Sequence, residues 1–488
     1  MTGLVLRRLR ADPVLTACLA AALLLKAVLF VRVADLPLRG DEVAYRDAGC
    51  ALANLVRDLV ALRGPDSAEL ARDVVGSGWF MPGMGIVLAP LYLVAPAADD
   101  TAARLWLGLV SAGVLVLTVL AVRRSLGRWY AVALCAFPAL VPVWALLSWT
   151  AYGDLLAGLV LVLLLVRLVE VLRAGRAGEP PTLRDGLVLG FLAITVVHLR
   201  SSAALAVGAT ALVAPVVLVT SLHRRAGRTA LKPVTVSAVA AGAVFAGLLL
   251  PWSVGASVAL DDRVITTTSV PTALANTFGD RSEVCFGPCD PGSTVWFAPV
   301  RYAREVARAT GHGEVTVLDQ MSEHARRDVT ARSYAQDVVE NFERYRAIDG
   351  FGALLKPPDA PHDEGFWQWV ARDLSLEIFG PVSWLVAAAL LVVSRRRFSD
   401  QALAVLLKVG LLALLTQPFV HLSGSRYWTT AGALGGLAVV VLARTAYDAI
   451  RRPPVEDGDE PAPLLTALQW TLSAATVATV GVVATLAG

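Results

Sequence analysis

Two adjacent carboxylates, Asp41 and Glu42, occur in the stretch "LPLRGDEVAYRDAG", directly after a long apolar run. A carboxylate held beside a cation at the edge of a membrane can act as a general base, and Arg39 and Tyr45 flank the pair as candidates for positioning a substrate. The alternative is structural, because acidic residues are favoured in the first turn of a helix. The sequence alone leaves both interpretations open.

Isolated polar residues interrupt two further apolar segments. Asp154 in "LSWTAYGDLLAGLVL" falls in the opening turn of one segment, where an acid either has a function or caps the helix at the lipid headgroups. His198 and Arg200 in "VVHLRSSAAL" have no acidic neighbour in sequence. These cations are candidates for binding an anion such as a lipid phosphate, with Ser201 and Ser202 as added donors. Alternatively, the arginine extends to ordinary lipid headgroups.

A second lone cation, Arg426, stands in "PFVHLSGSRYWTTAG" beside Tyr427 and just before another apolar segment. Aromatic residues at a membrane interface usually form part of a belt, which explains Trp428 when it is taken alone. Arg426 is not explained in that way. It is therefore a second candidate for binding an anion, with Tyr427 next to it and His421 nearby.

The composition identifies the setting in which these residues must act. Of the 488 residues, 56% are hydrophobic and only 17% are charged, and the mean hydropathy is +0.62. Long apolar blocks of this kind predict membrane-spanning helices, since a helix satisfies its own backbone hydrogen bonds. We therefore expect an all-α polytopic membrane protein. A net charge of +3, with arginines scattered along the chain, argues against nucleic acid as a partner.

Basic clusters between the apolar blocks predict the topology. Cytoplasmic connections are rich in Lys and Arg, so the clusters place the N-terminus in the cytoplasm. The first apolar block is expected to be an uncleaved span and not a signal peptide. The same rule puts Asp41, Asp154, Arg200 and Arg426 on the extracytoplasmic side of the plasma membrane. Eleven spans are predicted, at about 14–36, 101–122, 129–147, 152–172, 186–199, 202–222, 233–253, 377–394, 402–420, 429–448 and 464–486.

The connections on the extracytoplasmic side define the expected domains. We predict an N-terminal membrane module (1–253) whose first outer loop spans 37–100, an outer loop subdomain (254–376) and C-terminal membrane helices (377–488). Within the first outer loop, the proline-rich stretch "WFMPGMGIVLAPLYLVAP" at 79–96 favours a short interfacial or re-entrant helix over a full span.

The long outer loop contains two cysteines, Cys285 and Cys289, in the turn-rich segment "EVCFGPCDPG". In an oxidising compartment they would form a small disulfide loop, and otherwise they are two free thiols. Their spacing, without further ligands nearby, argues against a zinc site. The histidines of the loop are too far apart in sequence to indicate a metal site, so no metal ligands are assigned.

The order of these motifs resembles the superfamily C glycosyltransferases, in particular the protein O-mannosyltransferases and the lipid A aminoarabinose transferases. The matching pieces are the acidic pair in "RGDEVAY", the proline-rich "MPGMGIVLAPLY", Arg104 in "TAARLWLGL", the acid at Asp154, the corner "LGFLAITVVHLRSSA" and the late pair Arg426 and Tyr427. One departure is Met81, which stands where many relatives have a Lys or His thought to contact the donor phosphate.

The resemblance implies an inverting enzyme that moves one sugar, mannose or a pentose such as arabinose, from a polyprenyl phosphate donor to a glycolipid, glycan or protein acceptor. It implies Asp41 as the base, with Glu42 as the fallback. Arg200 and Arg426, with His198 and Tyr427, would bind the donor phosphate, while Asp154, Tyr45 and Arg39 would position the acceptor or a cation. A divalent cation is not obligatory for this chemistry and stays open.

Two other classes of function were weighed against the transferase. A transporter or flippase of a lipid-linked sugar would place ionisable residues near the middle of the membrane, whereas here the candidate residues are expected at one face. A scaffold would not need lone cations at that face. The Ala-, Arg- and Val-rich composition is typical of a high-GC bacterium.

Overall fold

The computed structural model describes residues 12–226, 231–278, 297–346, 369, 374–420, 425–451 and 459–488. This part of the chain is helical and contains no strand. The helices are α1 (Pro13–Val33), α2 (Asp41–Val60), α3 (Gly83–Val94), α4 (Asp100–Ser125), α5 (Arg128–Ala136), α6 (Pro142–Leu147), α7 (Asp154–Ala177), α8 (Leu183–Leu199), α9 (Ala204–Ala226), α10 (Leu231–Leu260), α11 (Ser269–Phe278), α12 (Phe297–Thr310), α13 (Glu314–Ala325), α14 (Ala331–Arg346), α15 (Ser375–Leu391), α16 (Phe398–Leu414), α17 (Trp428–Arg451) and α18 (Pro463–Ala487).

Eight of the described helices are long and apolar enough to cross a bilayer, namely α1, α4, α7, α9, α10, α16, α17 and α18. The chain is thus an all-α polytopic membrane protein, as the composition predicts. Three of the eleven expected spans differ from the prediction. The segment around 129–147 is divided into α5 and α6 because Pro138 and Pro142 interrupt it, and α8 and α15 are 17-residue helices. The proline-rich stretch forms the 12-residue α3.

Helix α7 lies at the centre of the bundle. Its apolar residues are buried along almost the whole length of the helix, and it packs against α4, α8, α9, α16 and α17. The apolar residues of a lipid-facing helix contact lipid, whereas those of α7 contact the neighbouring helices that surround it. The N-terminus of α7, at Asp154, therefore lies in the middle of one end of the bundle.

Small residues bring several helices into close contact. A Cβ atom on Gly186 or Gly190 of α8 would lie 2.1 Å from the carbonyl oxygen of Ser237 or 2.4 Å from that of Ala241, both on α10. The two glycines are four residues apart and share one face of α8, which is the small-xxx-small arrangement that lets membrane helices approach closely. The backbones of α8 and α10 therefore pack against each other directly.

Two lysines are buried within the membrane helices, which the sequence analysis did not anticipate when it assigned the ionisable residues to one face. Lys408 of α16 donates hydrogen bonds to the carbonyl oxygen of Leu390 (2.7 Å) and the hydroxyl of Ser473 (2.6 Å), and so joins α16 to α15 and α18. Lys26 of α1 donates to Ser111 and lies over the ring of Trp149. Both lysine side chains therefore make contacts between helices.

The contact between α8 and α10 can be tested with one added methyl group. We expect Gly190→Ala to lower the thermal midpoint in detergent by several degrees, since overpacking a tight contact costs about 1–3 kcal/mol. Gly113→Ala in α4 is the matched control, because nothing lies within 4 Å of the added Cβ. It should leave the midpoint unchanged or raise it, and equal midpoints for the two variants would contradict the packing described.

Candidate functional site

A cavity of about 360 Å³ opens at the end of the bundle where α2 and α7 begin and α8 ends. Its wall combines charged, hydroxyl and aromatic side chains from distant parts of the chain. The polar and aromatic residues that line it are Asp41, Tyr45, Trp79, Phe80, Arg200, Ser201, Ser202, Thr266, Thr267, Ser269, Thr416, Gln417, Arg426 and Tyr427.

Asp41 and Arg426 form an ion pair across this cavity. Oδ2 of Asp41 lies 2.9 Å from Nη2 of Arg426, and both side chains are partly exposed, at 19% and 18%. Asp41 is the first residue of α2 and follows Gly40, whose φ of +55° suits a glycine and lets the chain turn into the helix. Arg426 lies in a short helical turn directly before α17. Residues 385 positions apart therefore meet at one point.

Asp154 and Arg200 form a second ion pair next to the first. Nε of Arg200 lies 3.1 Å from Oδ1 of Asp154, which is 2% exposed. None of the described residues donates a directed hydrogen bond to either oxygen of Asp154, so this carboxylate depends on the charge of the arginine. Gly153 permits the start of α7 to approach the end of α8 closely, because a Cβ atom on Gly153 would lie 2.1 Å from the carbonyl oxygen of Leu199.

Tyrosine rings hold both guanidinium groups in place. The guanidinium carbon of Arg200 lies 4.0 Å from the ring centroid of Tyr427, and that of Arg426 lies 5.3 Å from the same ring and 4.5 Å from Tyr152. Burial opposes the charge of Arg426, but Tyr427, Asp41 and Asp154 outweigh it and raise the pKa of this arginine well above its usual value. Two permanent cations are thus fixed side by side.

Tyr45 lies one helical turn after Asp41 and also lines the cavity. Its ring packs against Phe80 with the centroids 5.0 Å apart. Burial raises the pKa of the Tyr45 phenol, and the charge of Asp41 raises it further. Tyr45 therefore stays protonated at any physiological pH and can donate a hydrogen bond within the cavity.

Glu42 does not line the cavity, although it is adjacent to Asp41 in sequence. Its carboxylate is 2% exposed and pairs with Arg104, which is 1% exposed, with Oε1 and Nη1 3.3 Å apart. The same carboxylate accepts hydrogen bonds from the backbone N–H groups of Ala151 (3.0 Å) and Arg39 (3.2 Å). Glu42 thereby joins the start of α2 to α4 and to the turn that precedes Asp154. Glu42 is therefore suited to positioning Asp41 and not to contacting a substrate.

The remaining predicted site residues lie elsewhere. Arg39 contributes its backbone N–H to Glu42, and His198 packs its backbone against Gly83; neither residue is among those that line the cavity. Cys285 and Cys289 lie outside the described residues, as does His421. The described residues contain no group of three or more His, Cys, Asp or Glu side chains that could hold a metal ion.

The segment that follows α10 supplies part of the cavity wall. Trp252 Nε1 donates to the carbonyl oxygen of Thr266 (2.6 Å), which fixes the segment that carries Thr266 and Thr267 into the wall. On the opposite side, α14 holds the turn that contains Gln417. Neither Gln417 nor the two threonines were predicted from the sequence. A polar residue directly after the apolar run of α16, as in "LLTQPF", was the available signal for Gln417.

No protein-family model matches the chain, and no curated protein matches it. Among solved structures, it is similar to the archaeal oligosaccharyltransferase AglB from Archaeoglobus fulgidus, in complex with an inhibitory peptide and a dolichol-phosphate, with 13% sequence identity and a TM-score of 0.39. The match covers 97% of this chain and 56% of that chain, so this chain spans little more than half the length of AglB. Similarity at this level does not indicate what this chain binds, and the functional conclusion must come from the cavity residues.

The buried pair of Glu42 and Arg104 gives a stability prediction. Arg104→Met would leave Glu42 as an uncompensated buried charge, which costs about 3–5 kcal/mol, and the added Glu42→Gln should restore part of that loss. Arg46→Met removes partly exposed ion pairs with Asp47 and Asp100 and should cost less than about 1 kcal/mol. Chemical denaturation in detergent measures the free energy of unfolding of the two single variants and of the double variant. Similar losses for Arg104→Met and Arg46→Met would contradict the importance of the buried pair.

Proposed function

We propose that this protein is an inverting glycosyltransferase that moves a single sugar from a polyprenyl phosphate donor to an acceptor hydroxyl at the extracytoplasmic face of the plasma membrane. The observation that carries the proposal is the convergence of two fixed guanidinium groups and one carboxylate on a single cavity. An inverting transfer needs cations for the departing phosphate and a base for the acceptor proton, and this cavity contains both.

The proposed reaction assigns a separate role to each side chain. Asp41 takes the proton of the acceptor hydroxyl as its oxygen forms a bond to the anomeric carbon. The bond from that carbon to the phosphate oxygen breaks on the opposite face of the sugar, and the phosphate leaves with the bonding electrons. Arg200 and Arg426 stabilise the charge that develops on the phosphate, while Tyr427 keeps the two guanidinium groups in place.

The ion pair of Asp41 and Arg426 links donor binding to the activity of the base. Without a donor, the two opposite charges satisfy each other at 2.9 Å. A phosphate bound between Arg200 and Arg426 competes with Asp41 for Arg426. Asp41 is then released from the cation and can accept a hydrogen bond from the acceptor hydroxyl.

An apolar groove supports a lipid-linked donor. It has a volume of about 400 Å³ and lies among α7, α8, α9 and α10, beginning at Ala204, just after Arg200. The groove follows α9 for roughly 20 Å, at 1.5 Å per residue. Its wall is apolar, and Gly208 and Gly242 leave room along it because nothing lies within 4 Å of a Cβ atom added at either residue. A polyprenyl chain whose phosphate is bound at Arg200 could extend along this groove.

Basic residues at the opposite end of the bundle support the proposed orientation in the membrane. There Asp12 pairs with Arg128 (3.1 Å) and Arg123 (3.6 Å), and Arg444 pairs with Asp400 (3.3 Å). The positive-inside rule favours this end as the cytoplasmic one, which would make the cavity extracytoplasmic. The acceptor, a glycolipid, glycan or protein, would therefore enter from outside the cell, and Asp154 would hold Arg200 in position for the donor phosphate.

The role of Asp41 can be tested by transfer of labelled sugar from polyprenyl phosphomannose and polyprenyl phosphoarabinose. Asp41→Asn keeps the size of the side chain but removes the base, so we expect kcat to fall by about 10²- to 10⁴-fold. Asp58→Asn is the matched control, because Asp58 lies on the same helix but pairs with the exposed Arg63. It should transfer at the wild-type rate.

Two outcomes would contradict this proposal. Wild-type transfer by Asp41→Asn would exclude this residue as the base. Movement of a lipid-linked sugar across liposomes by the wild-type protein, without transfer to any acceptor, would favour a flippase.

A further inference from the structure

Gln417 has a buried hydrogen-bond acceptor that no described residue satisfies. It opens the short helical turn Gln417–Phe419 after α16, and its side chain lines the cavity although the residue is only 6% exposed. The amide nitrogen Nε2 donates to the hydroxyl of Ser202 (2.8 Å). None of the described residues donates to the amide oxygen Oε1. An unsatisfied buried acceptor costs about 1–3 kcal/mol, so it needs an explanation.

The surroundings of Gln417 hold it in this orientation. Ser202 Oγ also accepts a hydrogen bond from Nε of Arg200 (3.0 Å), so Ser202 connects the amide directly to the arginine. The backbone of the turn is held from the other side, because Tyr334 donates to the carbonyl oxygen of Phe419 (2.8 Å) and Asn341 to that of Pro418 (3.1 Å). The turn is therefore fixed with the amide of Gln417 separated from Arg200 by a single hydroxyl, that of Ser202.

We propose that Oε1 of Gln417 accepts a hydrogen bond from the hydroxyl next to the anomeric carbon of the donor sugar. The inference rests on the proposed function, in which Arg200 binds the donor phosphate. That phosphate is bonded to the anomeric carbon, so the hydroxyl on the neighbouring carbon is the sugar donor group closest to Arg200. A site built around an acceptor selects against an analogue that lacks the matching hydroxyl.

The test compares polyprenyl phosphomannose or polyprenyl phosphoarabinose with its 2-deoxy analogue. The quantity measured is the ratio of kcat/KM for the two donors, taken within one protein preparation, so that partial unfolding and the intrinsic reactivity of the deoxy sugar cancel between variants. Gln417→Met keeps the length of the side chain but removes the acceptor. We expect it to reduce the preference for the 2-hydroxyl donor by about 10- to 100-fold.

Two further variants separate recognition from folding. Gln417→Glu keeps an acceptor oxygen, and its added charge should weaken binding of both donors alike, so its ratio of kcat/KM for the two donors should stay above that of Gln417→Met. Gln469→Met is the matched control, because the amide of Gln469 is buried in α18 and bonded on both sides to Ser394, away from the cavity. It should lower stability and leave the donor preference unchanged.

The outcomes are distinguishable from failure of the proposed function. If the wild-type protein transfers sugar and Gln417→Met keeps the wild-type preference, the proposed role of Gln417 is overturned and the proposed function stands. If the wild-type protein transfers sugar from neither kind of donor, the proposed function fails and the inference fails with it.

Discussion

The salt bridge between Glu42 and Arg104 is almost completely withdrawn from solvent, and the geometry of the cavity depends on it. Burying two charges in an apolar bundle is costly unless they meet each other and their remaining hydrogen-bonding positions are filled. Here the carboxylate bonds to Arg104 and to the N–H groups of Ala151 and Arg39. These contacts fix the start of α2, which places Asp41 at the cavity.

The same requirement pairs the charged groups of the cavity, Asp41, Arg200 and Arg426, and the buried Asp154 behind them. Asp41 pairs with Arg426 and Asp154 with Arg200, so the four charges balance. Both pairs leave room for a further polar partner. Asp41 and Arg426 are partly exposed, and Asp154 accepts no directed hydrogen bond from the described residues. An incoming anion can therefore share the two guanidinium groups with Asp41 and Asp154. Electrostatic stabilisation of this kind needs little rearrangement during the reaction.

The sequence was sufficient to predict the helical membrane fold, because a run of apolar residues long enough to cross a bilayer has few alternatives. It also marked Asp41, Asp154, Arg200 and Arg426, since isolated charges next to apolar segments are costly. The count of spans was less secure, because a 17-residue helix such as α8 and a proline-broken segment such as 128–147 are as apolar as a full span. Composition alone does not distinguish them.

The partner of each charge could not be predicted, because pairing depends on the rotation of a helix. Consecutive residues point about 100° apart on a helix, which is why Asp41 faces the cavity while Glu42 faces α4. The positions of His198 and Gln417 likewise depend on how distant segments meet, for example through Gly83 and Ser202. The buried Lys408 is explained only by the packing of α15 and α18 around it.

Binding of a polyprenyl monophosphate to the purified protein in nanodiscs tests the central claim most directly, since it isolates the two arginines from the chemistry of transfer. If they form the phosphate site, Arg200→Gln and Arg426→Gln should each raise the Kd by at least about tenfold, because each removes a charge-assisted hydrogen bond. The corresponding polyprenol, which lacks the phosphate, should bind equally to all three proteins. An unchanged Kd for the phosphate in both variants would contradict the account.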